Sequence, residues 1–80
     1  MNVKILGGGC KSCHTLFVNT QEAVRNMALD AEVEYITDME KVMSYGAMSM
    51  PVLVVDEKIV SMGKVLKTKE IEKILQKTNS

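Results

Sequence analysis

Apolar and polar positions along this chain fall into two alternating rhythms, one of period two and one of period near 3.6, and their order implies a fold. Val3-Lys4-Ile5-Leu6 is a short β-compatible run closed by Gly7-Gly8-Gly9, and it reads as a first strand. From Cys13 to about Asp30 the residues Leu16, Phe17, Ala23, Val24, Met27 and Ala28 recur at helical spacing. Asn19, Gln21, Glu22, Arg25 and Asn26 fill the other face, so the segment is an amphipathic helix. Glu32-Val33-Glu34-Tyr35-Ile36 alternates polar with apolar, as a strand with one buried face does. Thr37-Asp38-Met39-Glu40 then offers a T-x-x-E capping box ahead of Met39, Val42 and Met43, and Gly46 closes this short second helix.

Met50-Pro51 precedes Val52-Leu53-Val54-Val55, an unbroken apolar run suited to a strand buried on both faces. Asp56-Glu57-Lys58 turns the chain into Ile59-Val60-Ser61-Met62, a hairpin without the glycine that tight hairpin turns favour. Thr68 is the expected cap of a last helix whose Ile71, Ile74 and Leu75 face inward, with Lys73 and Lys77 near its negative end. Residues 78–80 are expected to fray. The order is β-α-β-α-β-β-α: a right-handed parallel crossover followed by an antiparallel hairpin. The fold class is therefore α/β, with a mixed four-stranded sheet and helices on both faces.

Composition narrows the class. The 80 residues suffice for one domain, 1–80, near the lower limit for a core without staples, since a chain this small buries only about 60% of its unfolded surface. With 46% apolar residues, 25% charged residues and zero net charge, the chain reads as globular, and no basic excess points to nucleic acid or an anionic membrane. MNVKIL is too short an apolar run for a signal-peptide core or a membrane span, so a cytoplasmic setting is expected. Thiols stay reduced there, and two cysteines spaced C-x-x-C read as reactive or metal-binding rather than as a structural disulfide.

Those cysteines lie in GGGCKSCHT, at the junction of the first strand and the first helix. That position sets the Cys10 sulfur beside unpaired helix N–H groups, which favour thiolate over thiol. Cys13, one turn on, lies within disulfide reach, so a mixed disulfide at Cys10 is open to intramolecular resolution. Lys11 and His14 are candidate modulators: Lys11 adds charge or is simply a solvated lysine, and His14 shuttles a proton or is a surface polar group. Cys10, Cys13 and His14 fall one ligand short of a structural zinc site, and no second Cys/His pair completes it, so no metal site is assigned. A two-thiolate carrier of a soft ion such as Cu(I) stays open as an alternative. Small copper-chaperone domains, however, run β-α-β-β-α-β and end on a strand. A passive interaction module with inert cysteines is a further alternative, opposed by the Gly, Lys, Ser and His around the sulfurs. Of the seven methionines, Met27, Met39 and Met43 have core spacing, whereas Met48 and Met50 flank the proline as a soft apolar rim.

A C-x-x-C after strand one, a proline heading strand three, a hairpin and a closing helix resemble the thioredoxin fold in its minimal, glutaredoxin-sized form. The G-x-G-C-x-x-C opening, the S-M-P-V-L-V-V-D stretch and the M-G-K-V-x-x-x-x-E-I-x-K-I-L ending resemble more closely the small thioredoxin-like redox-active disulfide proteins, over nearly the whole chain. The resemblance implies a thiol-disulfide oxidoreductase that exchanges two electrons with a protein disulfide, using no cofactor beyond the Cys10-Cys13 disulfide. It implies Cys10 as nucleophile, Cys13 as resolving thiol, Pro51 as a cis-proline facing them, and Met50 as the residue whose backbone receives a substrate strand. The implied partners are a protein disulfide and a reductant, acting on a monomer. This chain departs from thioredoxins in having Lys-Ser inside the C-x-x-C, no Trp before Cys10, and Lys4 with no acid in the first strand.

Overall fold

The computed structural model describes residues 1–79. Its elements are β1 (Asn2–Leu6), α1 (Lys11–Asn26), β2 (Glu32–Ile36), α2 (Met39–Ser44), β3 (Val52–Val55), β4 (Lys58–Met62) and α3 (Thr68–Asn79), in the order the sequence pattern implies. The sheet order is β2-β1-β3-β4, with β1 parallel to β2 and antiparallel to β3, and β3 antiparallel to β4. It is the mixed α/β sheet expected.

Alternation along β1 divides the interior into two layers, because successive side chains of a strand point to opposite faces. Val3 and Ile5 join Leu53 and Val55 of β3, Leu16 and Ala23 of α1, and Ile71 and Leu75 of α3 in the larger cluster. Leu6 joins Val52 and Val54 beneath Val42 of α2 in the smaller one. Helices therefore cover both faces. All four residues of β3 are buried, which is why its sequence shows no period of two. Each fully buried Leu or Ile contributes about 1.5–3 kcal/mol relative to an exposed one.

Lys4 also points to the α2 face, where its ammonium donates to the Tyr45 hydroxyl at 2.8 Å and to Glu57 Oε1 at 2.6 Å. The Glu57 bond, first, and then the Tyr45 bond hold Lys4 charged above the usual lysine range. The same bond to Lys4 holds the Glu57 carboxyl below its usual range. Glu57 is exposed, so the trio orients the hairpin more than it stabilises the fold. The turn residues Asp56 and Glu57 have φ of 50° and 68°, a region glycine normally occupies. Long-range bonds hold them there: Asn2 N–H donates to Asp56 Oδ1 at 2.9 Å, the Asp56 N–H donates to the Asn2 carbonyl at 2.8 Å, and Lys4 grips Glu57.

Local details differ from the sequence expectations. α1 starts at Lys11 rather than Cys13 and ends at Asn26. Asp38, not Thr37, is the N-cap of α2, and its carboxylate accepts from the Glu40 N–H at 3.0 Å. Met43 is 73% exposed and Met39 41%, so neither belongs to the core; a six-residue helix has one buried face here, and Val42 occupies it. Thr68 is the first helical residue of α3 rather than its cap, and Glu70 reaches back to accept from the Lys67 N–H at 3.1 Å. Fraying was expected from 78 onward, yet α3 runs through Asn79 and Thr78 Oγ1 donates to the Ile74 carbonyl at 3.0 Å; Ser80 lies outside the described residues. Among the described residues no helix is long and apolar enough to cross a membrane.

Candidate active site

The site begins where β1 stops. Gly7 is buried and its N–H donates to the Ile36 carbonyl at 3.0 Å, which carries the β1–β2 ladder one residue past Leu6. Gly9 then takes φ of 84°, a conformation open to glycine without steric cost, and turns the chain into α1. Cys10 is the N-cap, with extended dihedrals, and its carbonyl accepts the first helical bond from the His14 N–H at 3.0 Å. Cys13 therefore stands one turn in, where it is fully buried, while Cys10 is exposed. Both are free thiols, and their sulfurs are 2.8 Å apart.

This placement lowers the Cys10 thiol below its ordinary range. The hydrogen bond with the Cys13 side chain contributes most, followed by the Cys13 N–H, with smaller help from the N–H groups of Ser12 and of Cys10 itself. Partial desolvation opposes them. The Ser12 and Cys13 N–H groups are among the donors that a helix start leaves unpaired, and a thiolate satisfies them. Alkylation of Cys10 by iodoacetamide, followed against pH by mass, should accordingly show a midpoint below the ~8.5 of a free cysteine. Cys13→Ala should move that midpoint upward by removing the largest cause. A midpoint at or above the free-cysteine value in the native protein would refute this account.

The β1–β3 pairing ends at Leu6 and Val52, so Gly7, which leads to the dithiol, and Pro51 follow at the same end of the sheet. Pro51 thus heads β3 at the sheet end where the cysteines lie, and the Met50-Pro51 peptide bond is cis. Pro51 is buried, and its carbonyl accepts from the Gly63 N–H at 2.9 Å. Met50 is 46% exposed and Met48 91% exposed, so the rim before the proline faces solvent. Lys11 and His14 are both exposed on the first turn of α1. Among the described residues no cluster of three or more His, Cys, Asp or Glu side chains is placed to hold a metal ion.

Two further residues belong to the site and were not singled out from the sequence. A Cβ at Gly7 would overlap the Cys13 sulfur and lie 2.8 Å from the Cys13 Cβ, so glycine is what lets β1 approach α1. The triple glycine hid this, because it reads as a strand stop. Tyr35, on the inward face of β2, packs its ring on Phe17 with centroids 5.2 Å apart. A tyrosine where β2 otherwise turns aliphatic side chains inward was the available signal.

Residues 1–76 match a family model described as a thioredoxin domain. A thioredoxin of Methanothermobacter thermautotrophicus is 40% identical over 75 residues, which cover 94% of this chain and 97% of that protein. A thioredoxin of Methanocaldococcus jannaschii is 30% identical over 74 residues, covering 92% of this chain and 85% of that protein.

Proposed function

The chain belongs to the thioredoxin domain family, and from that membership we propose that it is a thiol-disulfide oxidoreductase whose Cys10-Cys13 pair reduces a protein disulfide. The observation that carries the reading is the unequal pair itself: an exposed, activated sulfur at a helix start in contact with a buried one. Proteins of this family use no cofactor, their redox-active cysteines being the active site. The Cys10 thiolate attacks one sulfur of the substrate disulfide, that S–S bond breaks, and the other substrate sulfur leaves as a thiolate that takes a proton from water. Cys13 then loses its proton to solvent and attacks the Cys10 sulfur. The mixed disulfide breaks, the second substrate thiolate departs, and the Cys10-Cys13 disulfide holds the oxidising equivalents of two electrons. A dithiol reductant reverses the sequence and resets the pair.

Met50 and Pro51 form the substrate-binding edge in this reading. Pro51 offers no N–H to a neighbouring strand, and Met50, an exposed residue, presents its backbone to an extended substrate beside the sulfurs. Lys11 and His14 modulate through charge that water and salt screen, so their effect shrinks as ionic strength rises. The chain acts in this reading as a monomeric single domain over 1–80 in a reducing, cytoplasmic setting, where such a dithiol is kept ready to donate electrons.

The test is reduction of insulin by limiting dithiothreitol, with the protein as catalyst and chain precipitation as readout. Acceleration well above dithiothreitol alone is expected. No acceleration overturns the proposal, and stoichiometric protection of both thiols from alkylation by Cu(I) in that case points to the soft-metal carrier instead.

A further inference from the structure

The exchange chemistry leaves Tyr35 unused. β2 runs parallel to β1 with Tyr35 paired to Ile5, and the Tyr35 ring lies against Phe17. Phe17 follows Cys13 by four residues, so the two share one face of α1, and the tyrosine lies along that face near the buried sulfur. Its hydroxyl is shut off from solvent and has no hydrogen-bond partner. A buried donor without an acceptor is rare in folded proteins, and one beside a reactive sulfur calls for a reason.

The groups facing that hydroxyl are Cys13 and Cys10 on α1 and the Gly9 N–H in the loop before it. β1 turns Ile5 toward it and Lys4 away, toward Tyr45 and Glu57. The acids of its own strand, Glu32 and Glu34, are exposed. Burial, first, and then negative charge on Cys13 hold the phenol above its usual range, so it keeps its proton and remains a donor.

We propose that the Tyr35 hydroxyl is the hydrogen-bond donor that stabilises the Cys13 thiolate as it forms, and so governs product release rather than the initial attack. The inference rests on the exchange chemistry proposed above. Cys13 is fully buried, and a thiolate in a dry site is strongly disfavoured unless a donor faces it. In the dithiol the hydroxyl stands without a partner, and a negative charge formed on the Cys13 sulfur supplies the acceptor it lacks. When the Cys13 proton passes to solvent, the bond closes; the new sulfur–sulfur bond to Cys10 forms, the bond from Cys10 to the substrate breaks, and the substrate sulfur leaves as a thiolate. Tyr35 keeps its own proton throughout.

Tyr35→Phe tests this, because it retains the ring on Phe17 and deletes only the hydroxyl. Mixed with 5,5′-dithiobis(2-nitrobenzoate) in a stopped-flow instrument, the reduced protein releases one coloured thiolate when Cys10 attacks and a second when Cys13 does. The first phase should change by less than about twofold, while the second slows roughly tenfold or more near neutral pH, the scale of a lost hydrogen bond to a charged group. The pH profile of the second phase should shift to the alkaline side, with the two proteins converging at high pH. Tm should not fall, since the hydroxyl has no bond in the resting state. An unchanged second phase, an equal slowing of both phases, or a lowered Tm overturns the proposal. The aromatic disulfide reports sulfur chemistry whether or not a protein disulfide is the natural substrate, so failure here and failure with insulin are separate results.

Discussion

Cys10→Ser should abolish disulfide exchange, whereas Cys13→Ser should yield a protein that captures its substrates and does not let them go. The asymmetry follows from burial and hydrogen bonding. Cys10 is the exposed sulfur, and its thiolate form is favoured by the Cys13 side chain and by helix N–H groups. Without it the remaining thiol is fully buried, and a substrate disulfide has no path to it, so exchange should drop to the uncatalysed background. In Cys13→Ser the nucleophile survives, and the serine hydroxyl still offers Cys10 a donor, so attack continues. The released-product step is lost, and mixed disulfides accumulate until a reductant is added. The measurement is a non-reducing gel of cell extract passed over each immobilised variant. Partners trapped by Cys10→Ser and not by Cys13→Ser would reverse the assignment, and trapping by neither would remove support for the redox reading. A soft-metal carrier gives a different pattern, in which both substitutions weaken Cu(I) binding comparably.

Gly7→Ala should destabilise the fold by about 1–3 kcal/mol, the range for overpacking a filled interior. For a chain of this size that is a drop in Tm of about 4–8 °C per kcal/mol. The added Cβ collides with the sulfur and Cβ of Cys13, which belong to a helix packed on the sheet and cannot swing away as a surface side chain would. Gly8→Ala is the internal control, since nothing lies within 4 Å of a Cβ there, and its cost should stay within about 0.5 kcal/mol. Combining Gly7→Ala with Cys13→Ala removes the sulfur from the collision and should recover part of the loss, a coupling that urea melts of the four proteins measure. Gly7→Ala indistinguishable from Gly8→Ala would sink the argument.

What the sequence determined by itself is local in its physics. Strand and helix order follow from side-chain period, because Val3 and Ile5 must share one face of a strand and Leu16 and Ala23 one face of a helix. The C-x-x-C chemistry was legible for the same reason: three residues at a helix start are one turn, which is disulfide distance. The resemblance to redox-active disulfide proteins, carried by the proline junction and the closing helix, added the cis bond at Pro51 that the structure shows.

Tertiary structure decided everything that depends on which distant residues meet. Period marked Met39 and Met43 as one face of α2 but did not say whether anything covers that face, and nothing sufficient does. The T-x-x-E pattern put the cap of α2 at Thr37; the backbone at the α2 entry gives the bond to Asp38. A hairpin turn of Asp56 and Glu57 without glycine is held by Asn2 and Lys4, which lie 54 and 53 positions away in the chain. Gly7 and Tyr35 belong to the site only because β1 and β2 bring them against Cys13, and neighbours of that kind are set by chain packing, which local spacing does not encode.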